Sequence, residues 1–289
     1  MFIMQLMGGL GNQMFQYAAA KALSLKRNIP FATDFDDPYI YAKRSFGLDV
    51  FNLEYQTATT KQLSKSKPKT KVMRRLYKWT GNNPDKYLYR EKKDFHYQPE
   101  FFDCNDGSYI SGFWQSEKYF LDIADTIRRD FSFKNRPSAA NSAWLEKIKA
   151  CNAVSIHIRR GDYVSVAHTN QLHGTCNLDY YQQAINAISG KVENPVFFCF
   201  SDDIEWTKAN LKTGAETHYV DCNTTPDSGY QDMRLMSNCK HHIIANSSFS
   251  WWGAWLNPDA DKVVIAPKKW LNSSDIIVKD LIPDTWLKL

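Results

Sequence analysis

Residues 153–162 read AVSIHIRRGD, an apolar, β-branched run that ends abruptly in two arginines, a glycine and an aspartate. A short apolar run closed by turn residues is predicted to be a buried strand. Similar runs follow at Val196–Phe200, Thr217–Asp221, His242–Ala245 and Val263–Ala266, separated by helical patterns at Leu178–Ile188, Ile204–Leu211 and Tyr230–Cys239. Strands that alternate with helices imply βαβ units, so the C-terminal half is predicted to be α/β with a parallel sheet. Ligands of such sheets sit at the carboxyl ends of the strands. Those ends read His157-Ile158-Arg159-Arg160-Gly161-Asp162, Ser201-Asp202-Asp203 and Asn246-Ser247-Ser248.

Working toward the N-terminus, the pattern is looser. Phe2 to Met7 is a short apolar run, Gly8-Gly9-Leu10-Gly11-Asn12 a turn, and Gln13 to Lys26 a stretch of helix formers, which makes one β–turn–α unit. A second strand is expected near Ile29–Thr33, another at Tyr109–Trp114 and a helix over Ser116–Phe131. Lys134 to Ser142, with Arg136-Pro137-Ser138, is the linker candidate. The 289 residues exceed what one core comfortably serves. Two domains are therefore expected, 1–136 and 137–289.

Each strand end admits two readings. His157 and Arg159 alternate onto one face and Arg160 onto the other. Arg159 suits a phosphate because its planar fork donates two parallel bonds; the plainer reading is a structural pair with Asp162. Asp202 and Asp203 stand where a strand passes into a helix, so one is expected to cap it. The other would be spare to accept hydrogen bonds from a guanine edge. Asn246, Ser247 and Ser248 open the helix Phe249–Leu256, either as an anion site at its positive end or as a simple cap. Trp251, Trp252 and Trp255 are read as core. Gly8-Gly9-Leu10-Gly11 with Asp34 behind it approximates a dinucleotide fingerprint, but Met14 stands where its third glycine belongs. Asp34-Phe35-Asp36 spells a D-x-D, a tripeptide common by chance.

Composition narrows the classes further. With 43% hydrophobic and 23% charged residues the chain is neither disordered nor fibrous. No apolar run approaches the roughly 20 residues of a bilayer span, and the N-terminus lacks the pattern of a secretory signal, so a cytoplasmic location is expected. Six cysteines without C-x-x-C pairing or zinc spacing are expected to be reduced, with no metal and no disulfide. The net charge of +5 is local. Lys61, Lys65, Lys67, Lys69, Lys71, Arg74, Arg75 and Lys78 occupy a stretch without an acidic residue, and the remainder carries −3. Lys61–Lys78 is read either as a solvated face or as a patch that meets an anionic membrane peripherally. It has too few aromatics to be a nucleic-acid surface.

Taken in order, GGLGNQMFQYAAAKAL, GFWQSEKYF, HIRRGDYV, HGTC, FSDDIEW, CKHHIIANSSFSWWGAWLN and VVIAPKKW resemble the bacterial α-1,2-fucosyltransferases of glycosyltransferase family 11. The resemblance runs from Gly8 to Leu289 and is thinnest over Phe35–Asp94. It implies a GT-B-like fold of two Rossmann-like lobes, with GDP-L-fucose as donor on the C-terminal lobe. It also implies inverting transfer without a cofactor, to the 2-hydroxyl of a galactose-terminated oligosaccharide or lipid-linked glycan of the O-antigen kind. Carried onto this chain, Arg159 holds the diphosphate with His157 beside it, and Asp203 or Asp202 meets the guanine. Ser247 and Ser248 lie near the phosphates, and Asn12 near the reaction centre. The glutamate that acts as base in related core fucosyltransferases falls on Ala167, so the base is unassigned, with Asp162, His168, His173 and Asp36 as candidates. The alternatives are a related transferase with another GDP-sugar, an oxidoreductase built on the glycine turn and Asp34, and a non-catalytic glycan-binding module.

Overall fold

The computed structural model describes residues 1–36, 45–67, 79, 83, 85–161, 171, 174–225, 227–273 and 276–289. The chain divides into two compact units, Met1–Ser132 with Val278–Leu281, and Phe133–Ile277 with Ile282–Leu289. The change of unit thus falls four residues before the expected boundary at 136. The return of four late residues to the first unit has no counterpart in the sequence pattern.

The first unit contains β1 (Phe2–Leu6), α1 (Leu10–Arg27), β2 (Phe31–Phe35), α2 (Thr60–Ser66), β3 (Leu88–Arg90), β4 (Tyr109–Ser111) and α3 (Ala124–Asp130). Its strands are all parallel in the order β2-β1-β4-β3. Every residue of β1 is buried, as expected of a central strand covered on both faces. Met14, Phe15, Tyr17, Ala18 and Leu23 of α1 are buried too, each large side chain stabilising by about 1.5–3 kcal/mol. Asn28 ends α1 in the left-handed conformation, its N–H returning to Leu25 and Ser24. The helix expected over Ser116–Phe131 is instead two single 3₁₀ turns, Glu117–Tyr119 and Leu121–Ile123, followed by α3. Phe120, between them, leaves helical geometry at φ −140°. The expected strand Tyr109–Trp114 stops at Ser111, because the chain turns through Gly112 and Trp114.

The second unit contains α4 (Ala139–Lys149), β5 (Asn152–Ile158), α5 (Leu178–Ser189), β6 (Pro195–Ser201), α6 (Ile204–Asn210), β7 (Thr217–Tyr219), α7 (Tyr230–Asn238), β8 (His241–Ile243), α8 (Ser248–Trp255), β9 (Val264–Ala266) and β10 (Leu287–Lys288). Its six parallel strands run β10-β9-β8-β5-β6-β7. Val154, Ile156 and Ile158 of β5 pack with Tyr181, Ala184, Ile185 and Ile188 of α5. Trp251, Trp252 and Trp255 are core residues, with the Trp286 ring tilted against Trp251 at 5.4 Å. Ser138 caps α4, so the linker is shorter than expected. All six cysteines are free thiols, and no described helix is long and apolar enough to cross a membrane.

Each unit is therefore a Rossmann-like α/β lobe, and the whole is GT-B-like. Strand order also marks a switch point in each lobe, where consecutive connections leave in opposite directions and a crevice opens at the carboxyl ends. In the first lobe it lies between β1 and β4, and in the second between β5 and β8.

Candidate functional site

The carboxyl end of β5 carries the charged residues of the second lobe's switch point. Arg159 Nη1 lies 2.9 Å from Asp202 Oδ2, with the arginine side chain 25% exposed. Arg160 takes another course. Its N–H donates to Asp202 Oδ1 at 2.8 Å, its Nε to Asp203 Oδ2 at 3.2 Å, and its guanidinium lies 3.8 Å from the Trp206 ring centre. Arg160 is thus a packed, stacked cation, while Arg159 keeps its guanidinium at the crevice beside one carboxylate. Gly161 is small of necessity, since a Cβ there would come within 2.5 Å of Asp202 Oδ2.

These contacts change the reading of the acidic pair. Asp203 caps α6 by accepting the Trp206 N–H at 3.2 Å, as expected of one member. Asp202 binds Arg159 and the Arg160 main chain together, so both carboxylates carry structural bonds. The alternative partner for Arg159, Asp162, lies outside the described residues, as do Ala167, His168 and His173.

His157 is 6% exposed, and its Nδ1 has no hydrogen-bond partner. Its ring stands 5.7 Å from Phe249, and its carbonyl accepts from the Tyr181 hydroxyl at 3.1 Å. Burial holds its pKa down at about 4, Asp202 opposing and Arg159 assisting. The imidazole is neutral at physiological pH. A buried ring nitrogen without a partner costs free energy, and His157 Nδ1 is such an atom.

Across the switch point, β8 leads to Asn246, Ser247 and Ser248. Asn246 is held inside the lobe. It is 2% exposed, with Nδ2 donating to the Gly174 and Trp270 carbonyls and Oδ1 accepting from Cys176. It ties two loops together. Ser247 is the N-cap of α8, its Oγ accepting the Phe249 N–H at 3.3 Å, which is the plainer of the two readings for its side chain. Ser248 begins the helix, half-buried, at the positive end of its dipole.

In the first lobe, Asn12 stands in the first turn of α1, and its Oδ1 accepts from Gln115 Nε2 at 2.8 Å across the β1/β4 switch point. Gln13 locks the glycine turn through the Gly8 and Ser45 carbonyls. Asp34 and Asp36 share the Lys67 ammonium, at 2.9 and 2.7 Å, and Asp34 also accepts the Tyr109 hydroxyl at 2.8 Å. Burial works against charge on Lys67, and the bonds to Asp36 and Asp34 more than offset it, raising its pKa. An internal cation thus occupies the D-x-D carboxylates. Asp34 is held by Lys67 and Tyr109 together. Among the described residues no group of three His, Cys, Asp or Glu could hold a metal ion. Sequence reading passed over Glu91, whose carboxyl burial pushes up to about 7. A lone glutamate in an irregular stretch carries no motif. It passed over Asp232 likewise, half-buried beside Asn223 and also pushed up to about 7 by desolvation.

The model of glycosyl transferase family 11 matches residues 1–287. The chain is 36% identical over 293 residues to an α-1,2-colitosyltransferase of Escherichia coli, covering 99% of this chain and 98% of that one. It is 34% identical to the Escherichia coli O-antigen biosynthesis glycosyltransferase WbnK, covering 98% and 99%. With the human galactoside α-(1,2)-fucosyltransferase 1 it shares 26% identity over 154 residues, 51% of this chain and 42% of the human protein.

Proposed function

The chain belongs to glycosyl transferase family 11, and from that premise we propose that it transfers L-fucose from GDP-β-L-fucose to the 2-hydroxyl of a terminal β-galactoside, with inversion, in the assembly of an O-antigen-type surface polysaccharide. The 1,2 linkage is common to two of the relatives by name, and O-antigen synthesis is named for the third. The observation that carries the donor side is Arg159, a partly exposed guanidinium at the switch point of a parallel sheet.

In this reaction the bond from fucose C1 to the β-phosphate oxygen breaks, and its electron pair leaves with GDP. The acceptor oxygen attacks the opposite face, and its proton passes to a base. The barrier is governed by charge growing on the departing diphosphate, so donors already aimed at that charge do most of the work. Arg159 supplies a charge-assisted fork, and the N-terminus of α8 at Ser248 supplies dipole and N–H groups. In this reading His157, neutral and with an unsatisfied Nδ1, offers the nucleotide a hydrogen-bonding partner and no charge. The basic stretch Lys61–Lys78 would bring the enzyme to lipid-linked acceptor at an anionic surface. Lys67 is withdrawn from that patch by its bonds to Asp34 and Asp36.

A second reading, transfer of colitose, is favoured by the identity to a colitosyltransferase over the whole chain. Colitose is fucose without its 3-hydroxyl, so both donors present the same diphosphate to Arg159 and differ at one polar group. Measurement of kcat/KM with GDP-fucose, GDP-colitose and GDP-mannose on one galactoside tests the proposal. GDP-fucose is expected to be preferred at least ~10-fold, and a site that bonds the 3-hydroxyl would raise this toward ~10⁴. Preference for GDP-colitose or GDP-mannose overturns the fucose reading.

A further inference from the structure

Glu91 follows β3, the outer strand of the first lobe, and its carboxylate turns back to the end of β4. Oε2 accepts the N–H of Phe113 at 2.6 Å and that of Trp114 at 3.2 Å, and Oε1 accepts from Trp114 at 3.2 Å. Its own N–H donates to the Ser111 carbonyl at 2.9 Å. Glu91 therefore clasps the turn that ends β4 through both main chain and side chain. The turn needs a clasp. Trp114 has φ +56°, which L residues adopt at a cost of order 1–3 kcal/mol. Gly112 admits no side chain, as a Cβ there would lie 2.5 Å from the Glu91 Cβ. Trp114 is anchored by the Phe101 ring at 4.6 Å and Tyr89 at 6.0 Å. Gln16 of α1 holds the Gly112 carbonyl at 3.1 Å. The next residue, Gln115, donates to Asn12 Oδ1.

Among the described residues Glu91 has no ion-pair partner, in contrast to Asp34 and Asp36 at the end of β2. Its carboxylate is thus spent on geometry. We propose that Glu91 is a positioning residue of the transfer reaction: by clasping the Gly112–Gln115 turn it aims the Gln115 amide and, through it, fixes the Asn12 side chain at the β1/β4 switch point. This rests on the reading above that Asn12 serves the transfer.

The clasp is sensitive to protons. Burial raises the Glu91 carboxyl, the bonds from Phe113 and Trp114 oppose the rise, and Asp94 adds to it. Among the described residues Tyr119 also senses this carboxylate. Protonation removes acceptor capacity from the two N–H groups, so wild-type kcat is expected to fall below about pH 7.

The test is steady-state kinetics of Glu91→Gln, Glu91→Ala, Asn12→Ala and the double variant Asn12→Ala/Glu91→Ala, with GDP affinity read by calorimetry. Whichever of GDP-fucose or GDP-colitose supports wild-type turnover is used, so failure of the fucose reading leaves this test intact. Glu91→Ala is expected to lower kcat about 10²-fold, the scale of an ångström's misplacement, with GDP affinity unchanged. Glu91→Gln keeps one acceptor, restores most of kcat at pH 8 and lacks the acid limb. Adding Asn12→Ala to Glu91→Ala is expected to cost less than 3-fold more. A folded Glu91→Ala enzyme with normal kcat, losses that multiply in the double variant, or an unchanged acid limb in Glu91→Gln would each overturn the proposal.

Discussion

Replacing Arg159 by alanine sets two interactions of unequal size against each other. The first is the pair with Asp202, whose partners are about a quarter exposed. Pairs of that exposure are worth about 0.2–1 kcal/mol, and Asp202 keeps the Arg160 N–H afterwards. The second is the donor to the departing diphosphate, for which about 3–4 kcal/mol of transition-state stabilisation is expected, or roughly 10²–10³ in rate. Catalysis should therefore suffer far more than folding. The loss should reach kcat as well as donor KM, since GDP gains charge as the bond breaks. Arg159→Lys should recover part, because an ammonium keeps the charge without the fork. Arg160→Ala is the internal control. It removes a stack on Trp206 and a partly exposed pair with Asp203, together about 1–2 kcal/mol. Melting should fall by several degrees, with GDP affinity intact. Kinetics, GDP calorimetry and thermal melts on the three variants decide the matter. A folded Arg159→Ala enzyme with near-normal kcat and GDP affinity refutes the reasoning, as does a diphosphate phenotype in Arg160→Ala.

Activity is expected to survive excess EDTA, since Lys67 already neutralises Asp34 and Asp36; loss on chelation with recovery on manganese would contradict this. Lys67→Met should cost about 1–3 kcal/mol by leaving the buried Asp34 uncompensated, seen as a lower urea midpoint, and an unchanged midpoint would contradict it. His157 and His242 both titrate below the ordinary imidazole value because they are buried. The unfolded chain takes up protons below about pH 6.5 while the folded one does not, so stability should decline as pH falls from 6.5 toward 4. Imidazole NMR shifts should show both rings neutral at pH 6, and a protonated ring there would refute the assignment. Changing four lysines of Lys61–Lys78, Lys67 excluded, to glutamine should weaken binding to anionic vesicles at low salt and leave turnover of a soluble disaccharide within a few-fold. Unchanged vesicle binding would return the stretch to a solvated face.

The second lobe was legible because β5, β6 and β9 are mostly buried, apolar runs, so pattern and length agreed on these elements. AVSIHIRRGD marked both the central strand and the arginine at its end. What lay beyond reach was partner choice. Nothing local says that Asp202 takes Arg159, that Asn246 turns inward to two carbonyls, or that Lys67 crosses to Asp34 and Asp36. The first lobe was harder for a related reason. Its strands β3 and β4 are three residues long, and tertiary clasps such as Glu91 shape its turns more than local propensity does. The helix expected over Ser116–Phe131 failed where Phe120 was pulled into the core.

The most direct test of the central claim is the product itself. Incubation with GDP-β-L-fucose and a β-galactoside, with linkage and anomeric configuration read by NMR, is predicted to give an α-fucose on O2 of galactose and one equivalent of GDP. A product linked elsewhere, a retained β configuration, or turnover only with a different sugar nucleotide would contradict the account.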